Sequence, residues 1–138
     1  MLRQVGILLV EDDLKDRKFI MRALKQVDPD LDVEIAKDAE SALASLNNGS
    51  APKIIVTDLN MPGMGGRGLL ETLKTDEKLK NIPAIVLSTS DDESDIAESY
   101  RRHANAYMVK PDSIDGYKRI ASFLRDFWLQ EVKLPNID

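Results

Sequence analysis

The sequence predicts a doubly wound α/β domain in which five parallel strands alternate with five helices. Three observations predict it. Short apolar runs recur along the chain, helical periods fill the gaps between them, and most of the runs are apolar at nearly every position. Such continuous runs are typical of strands that helices cover on both faces of a parallel sheet. A chain of 138 residues fits one domain of this kind with a single core.

Five apolar runs supply the strands. All but the second are almost continuously apolar, and the alternation with helical periods favours parallel pairing. The runs are VGILLV (5–10), VEIA (33–36), IIVT (54–57), AIVL (84–87) and AYMV (106–109).

Apolar residues at spacings of three and four predict a helix after each strand. We expect the domain to occupy residues 1–131 and a short tail to occupy residues 132–138. The positions that predict the helices are Ile20, Leu24 and Val27; Ala39, Ala42, Leu43 and Leu46; Leu69, Leu70 and Leu73; Ile96, Ala97 and Tyr100; and Tyr117, Ile120, Ala121, Leu124 and Trp128.

Composition excludes several classes of protein. The net charge of −5 disfavours nucleic-acid binding, because proteins that bind phosphate backbones usually carry a basic surface. The absence of cysteine excludes disulfides, thiolate metal sites and a cysteine nucleophile. No apolar run approaches the roughly eighteen residues that a membrane span needs. We expect a cytoplasmic protein.

Reactive side chains follow the strands. Glu11 and Asp12 come after the first strand, Asp58 after the third, and Ser88 and Lys110 end the fourth and fifth. In an open α/β sheet, ligands bind outside the carboxyl ends of the strands. Distant parts of the chain therefore bring carboxylates, a hydroxyl and an amine to one edge.

Three carboxylates at one edge require cations. Two unit negative charges about 4 Å apart repel by roughly 4 kcal/mol at an effective dielectric constant near 20. Lys110 alone leaves the cluster anionic, and an all-oxygen ligand set suits Mg²⁺ better than zinc or copper. A carboxylate is a competent nucleophile for phosphoryl transfer once cations neutralise the incoming oxygens.

Four segments together carry a resemblance to a known family: LLVEDD, IIVTDLNMPGMGG, PAIVLSTS and YMVKP, in this order and spacing. From Leu8 to about Trp128 the sequence resembles the flavodoxin-like receiver domain of bacterial two-component response regulators. The resemblance implies that Asp58 accepts a phosphoryl group from a sensor histidine kinase. It also implies that Glu11, Asp12 and Asp58 hold Mg²⁺, with a further ligand from the backbone carbonyl of Asn60.

The resemblance implies further roles at the same edge. Ser88 matches the hydroxyl that senses the phosphoryl group, Lys110 matches the lysine that contacts it, and Tyr107 matches an aromatic switch whose ring turns inward. A cis peptide bond between Lys110 and Pro111 is also implied, which an X-Pro bond permits at modest cost. Asp13 lies one residue past the matched acid pair, so we expect it to cap the first helix.

Two short segments narrow the resemblance. VLSTSDDESDI and FWLQEVKLP are similar to small regulators that pair with bacterial phytochrome-type histidine kinases. We expect a stand-alone signalling module without an output domain, whose signal leaves through a protein surface. The sequence identifies no downstream target.

Other functions share parts of this pattern. Phosphatases of the haloacid-dehalogenase type also use an aspartate nucleophile with Mg²⁺, but they require a second aspartate two residues on, where this chain has Asn60. Gly63, Gly65 and Gly68 satisfy the dinucleotide pattern G-x-G-x-x-G, yet they fall in the third strand-helix unit instead of the first. A receiver that acts purely as a scaffold would have lost an acid or the lysine. We therefore expect no turnover of external substrates.

The last helix carries more apolar residues than the core needs. Phe123 and Phe127 lie roughly 80–120° from its core-facing stripe, and Val132 and Leu134 extend the apolar material. Exposed apolar groups on one element often mark an interaction site. We expect a homodimer through the face made by helix four, strand five and helix five; the alternative is that both phenylalanines only edge the core.

Overall fold

Five parallel strands form one sheet in the computed structural model, which describes residues 2–135. The spatial order is β2-β1-β3-β4-β5, so that the prediction of a five-stranded parallel sheet is confirmed. The strands are β1 (Arg3–Val10), β2 (Val33–Ala36), β3 (Ser50–Thr57), β4 (Ala84–Ser88) and β5 (Ala106–Val109).

A helix follows each strand, as predicted. Asp13, Asp38, Asp92 and Ser113 each cap a helix, because each side chain accepts a backbone N–H of the first turn. The cap expected at Asp13 is therefore confirmed. The helices are α1 (Leu14–Val27), α2 (Ala39–Asn47), α3 (Gly65–Thr75), α4 (Glu93–Arg101) and α5 (Ile114–Phe123).

Two apolar layers enclose the sheet. Ile7 and Leu9 of β1 pack with α1 and α5 on one face, whereas Leu8 and Val10 pack with α2 and α3 on the other. This alternation follows from the two-residue period of a strand. The result is a rigid frame whose carboxyl edge carries the polar residues. Within residues 2–135, no helix has both the length and the apolar character to cross a bilayer.

The chain after α5 differs from the expectation of a simple tail. α5 continues into a π-helical segment, Leu124–Glu131, which the sequence pattern did not indicate. The Val132 N–H donates to the Phe127 carbonyl at 2.8 Å, the i→i+5 spacing of a π-turn. Leu134 packs against the α1–α5 layer, so residues 132–135 lie on the domain. The remaining residues of the predicted tail, 136–138, lie outside the described chain, as does residue 1.

Candidate functional site

The predicted acids converge at the carboxyl edge of the sheet. β1 and β3 are paired neighbours, with Val10 opposite Thr57, and therefore the residues that follow them emerge side by side. One carboxylate oxygen from each of Glu11, Asp12 and Asp58 lies within 4.8 Å of the other two. Asp12 is exposed while the other two acids are buried, which leaves the cluster open to solvent on one side.

Backbone contacts hold Asp58 in place. Its Oδ1 accepts the Leu59 N–H at 2.7 Å, and its own N–H donates to the Val10 carbonyl at 3.1 Å. Gly66 packs against the same backbone, since a Cβ there would collide with the Asp58 carbonyl oxygen. Gly65 adopts a positive φ of 71°, which favours glycine. Gly65 and Gly66 therefore suit the tight backbone beside Asp58. That Gly63, Gly65 and Gly68 shape this loop and do not bind a dinucleotide stays a prediction.

Lys110 is the cation of the site. Its side chain is 3% exposed, and its Nζ lies 2.7 Å from Glu11, 2.7 Å from Asp16 and 2.9 Å from Asp58. The prediction of a cis bond before Pro111 is wrong, because the peptide bonds of residues 2–135 are all trans. With the trans bond, the Lys110 side chain reaches the acids.

Burial and neighbouring charges shift the pKa values of Glu11 and Lys110. Burial raises the pKa of Glu11 to about 7, and the Asp58 charge adds to this, whereas Lys110 opposes it. Burial acts to lower the pKa of Lys110, but its hydrogen bonds to Asp16, Glu11 and Asp58 outweigh that effect and raise it. Lys110 is thus charged, and one ammonium leaves the carboxylates with an excess of negative charge. Oxygen ligands with this charge fit a hard divalent cation.

Ser88 and Tyr107 are linked to each other through Ser90. Ser88 ends β4 fully buried, and its Oγ accepts the Ser90 N–H at 3.1 Å. The Tyr107 hydroxyl donates to the Ser90 carbonyl at 2.8 Å. Asn60 is exposed, and its side-chain oxygen accepts from Arg67 Nη1 at 3.2 Å. The sensing role of Ser88, the switch role of Tyr107 and the carbonyl ligand at Asn60 stay predictions.

Sequence reasoning missed two residues at this edge. Asp16, which contacts Lys110, lies in the first turn of α1, and its nearness to the predicted acids in the sequence is the signal that could have found it. Arg67 reaches from α3 to Asp95 of α4 at 2.7 Å. No local pattern in the sequence connects those two residues, because they lie on separate helices.

Comparison with known proteins finds relatives that are similar in sequence and in fold. The sequence is 36% identical over 135 residues to the response regulator Rcp1 of Synechocystis sp., covering 94% of this chain and 92% of that protein. The phosphorylated cyanobacterial phytochrome response regulator RcpA superposes with a TM-score of 0.89 at 36% identity, covering 97% of this chain and 100% of that one. The Mn²⁺-bound form of Rcp1 gives 0.86 at 35% identity, with 96% and 99% covered.

The narrower resemblance to phytochrome-linked regulators is therefore confirmed as a likeness. The family described as the response regulator receiver domain matches residues 7–121, which is most of the chain. This range contains every strand but the first residues of β1, and it contains every residue of the acidic cluster. The chain belongs to the response regulator receiver domain family.

Proposed function

We propose that Asp58 accepts a phosphoryl group from a sensor histidine kinase and that the protein signals through a protein surface as a single receiver domain. The observation that carries this proposal is the position of Asp58, which lies between two further acids and a buried ammonium at one edge of the sheet. In the reaction, an Asp58 oxygen forms a bond to phosphorus while the bond from phosphorus to the donor breaks. The Leu59 N–H orients the carboxylate, and Lys110 neutralises part of the added charge.

The residues fit Mg²⁺ as the cofactor. Glu11, Asp12 and Asp58 would hold it, with the backbone carbonyl of Asn60 as a further ligand. When bound, Mg²⁺ neutralises charge on the phosphoryl oxygens during the transfer. The Mn²⁺-bound form of Rcp1 supports a divalent cation in this class of protein.

Ser88 and Tyr107 would transmit the effect of Asp58 phosphorylation to the protein surface. The Ser88 hydroxyl would turn toward the phosphoryl group, and Tyr107 would follow through the Ser90 segment that both residues contact. We also propose that the protein has no external substrate and catalyses only its own phosphorylation and slow dephosphorylation. Asn60 supports this, since it offers no general acid where aspartate-based phosphatases carry one.

We further propose a kinase partner, a homodimer and a cytoplasmic location. The likeness to RcpA supports a phytochrome-type histidine kinase as the phosphodonor. Four large apolar side chains on α4, β5 and the α5 end are each 40–48% exposed: Tyr100, Val109, Phe123 and Phe127. Their exposure supports the homodimer face predicted there. The receiver domain would occupy residues 1–131, followed by the segment 132–138, in the cytoplasm.

Labelling with acetyl phosphate and Mg²⁺ tests the phosphorylation site. Intact mass should show one added phosphoryl group on the wild-type protein and none on Asp58→Asn, because the amide is not a nucleophile. Asp12→Ala should take up the label far more slowly than the wild-type protein. Omission of Mg²⁺ should slow labelling of the wild-type protein to the same extent. Labelling of Asp58→Asn at the wild-type rate would contradict the assignment.

A further inference from the structure

Three carboxylates surround the Lys110 ammonium, and two of them, Asp16 and Asp58, accept hydrogen bonds from it. A lysine ammonium carries three N–H donors, and Nζ lies within 2.9 Å of three different carboxylates, those of Glu11, Asp16 and Asp58. Phosphorylation of Asp58 would replace its carboxylate contact with the ammonium by one from a phosphoryl oxygen, which would then share Lys110 with Asp16 and Glu11.

The three partners differ in how readily water can replace the lysine. Their side chains are 2%, 26% and 11% exposed for Glu11, Asp16 and Asp58. Removing the cation from the buried Glu11 leaves an unpaired charge in the interior, which is costly. Asp16 lies at the rim in the first turn of α1, where water can solvate its carboxylate. Asp58 itself becomes the phosphorylated group.

We propose that Asp16 is a positioning residue that holds Lys110 while Asp58 is free and draws the lysine away from the phosphoryl group once Asp58 is phosphorylated. The inference rests on the proposed phosphorylation of Asp58. Asp16 competes with the phosphoryl group for the lysine, and its negative charge opposes the approach of an anionic donor. Asp16 therefore slows phosphorylation and shortens the lifetime of the aspartyl phosphate.

Substitution at Asp16 with a matched control tests this role. Asp115 is the control, because it is also the acidic residue of a first helical turn, in α5, and is exposed. Asp16→Asn should label with acetyl phosphate about threefold faster and keep the label about threefold longer, a change that corresponds to one screened charge. Asp115→Asn should match the wild-type protein in both rates. Asp16→Glu should return both rates toward wild type, since a carboxylate can again bind Lys110.

The outcomes separate this inference from the proposed function. If the wild-type protein labels normally and Asp16→Asn and Asp115→Asn give equal rates, the proposed role of Asp16 is overturned. The phosphorylation of Asp58 would then still stand. Asp16→Glu that behaves like Asp16→Asn overturns it as well, because packing and not charge would then explain the effect. Wild-type protein that takes no label under any condition overturns the phosphorylation of Asp58, and this inference with it. Circular dichroism of each variant confirms that the fold is retained.

Discussion

α4 and α5 precede and follow β5, but the two helices are held to the domain in different ways. α5 and its continuation bury Tyr117, Ala121 and Leu124 at 8%, 2% and 0% exposure. α4 buries only Ser99 among its residues, and its Tyr100 is 48% exposed. Apolar packing therefore fixes α5, whereas α4 depends on other contacts.

Polar contacts hold α4. Arg67 of α3 pairs with Asp95 at 2.7 Å and with Glu98 at 3.4 Å, and the Ser90 hydroxyl donates to Asp95 at 2.6 Å. Exposed ion pairs contribute about 0–1 kcal/mol each, whereas full burial of a leucine contributes about 1.5–3 kcal/mol.

The weaker attachment of α4 has a functional meaning. Elements that move in signalling come from the less stable parts of a fold. The Tyr107 hydroxyl donates to the Ser90 carbonyl, and the Ser90 hydroxyl donates to Asp95, so the loop after β4 joins β5 to α4. Apolar packing thus makes α5 the more firmly held helix, and we expect α4 to be the helix that responds to phosphorylation.

The largest expected effect is at the α5 end. Leu124→Ala should lower the free energy of unfolding by about 3 kcal/mol, because it removes fully buried methyl groups and leaves a cavity. Ile96→Ala in α4 should cost about 1 kcal/mol, since Ile96 is only partly buried. Urea denaturation followed by circular dichroism measures both. Equal losses would remove the distinction between the helices.

The proposed dimer would form through the exposed face of α4, β5 and the α5 end. Phe123 and Phe127 stack at 5.2 Å between ring centroids while both remain 41–46% exposed. Phe127→Glu should weaken association at least about tenfold, because a charge replaces an apolar contact group. Gln130→Glu adds the same charge at another exposed position and should change association far less.

Light scattering with and without acetyl phosphate reports the state of each variant. A wild-type protein that stays monomeric at high micromolar concentration in both conditions rules out the dimer. The face would then serve at most other partners.

A smaller effect is expected from the polar contacts of α4. Arg67→Met should speed amide hydrogen exchange in α4 about threefold, because the lost pairs are partly exposed. Arg102→Met is the matched control: Arg102 also pairs with Glu98, at 3.1 Å, but its other partner is the exposed Glu71. Arg102→Met should speed exchange in α4 less than Arg67→Met does. An equal effect of the two variants would show that Arg67 does not hold α4 more firmly than Arg102.

Much of the fold follows from local sequence. The strand positions follow from the apolar runs, and the convergence of Glu11, Asp12 and Asp58 follows from the topology of parallel sheets. Burial of α4 was not predictable from spacing, because Ala97 matches the helical period and yet is exposed.

Side-chain partners across the fold are harder to predict. Asp16 and Lys110 are 94 positions apart, so their contact depends on how α1 and β5 are placed. The π-helical turn that binds Val132 to Phe127 has no residue signature in the sequence. These features depend on tertiary packing, which local propensity does not encode.

Hydrogen exchange of the two helices tests most directly whether phosphorylation of Asp58 is transmitted to α4. Acetyl phosphate with Mg²⁺ should change the exchange rates of residues 93–101 while those of residues 114–123 stay constant, because Ser90 in the loop after β4 contacts both Tyr107 and Asp95 of α4. In Asp58→Asn the change should be absent. Equal changes in both helices, or a change that persists in Asp58→Asn, would contradict the account.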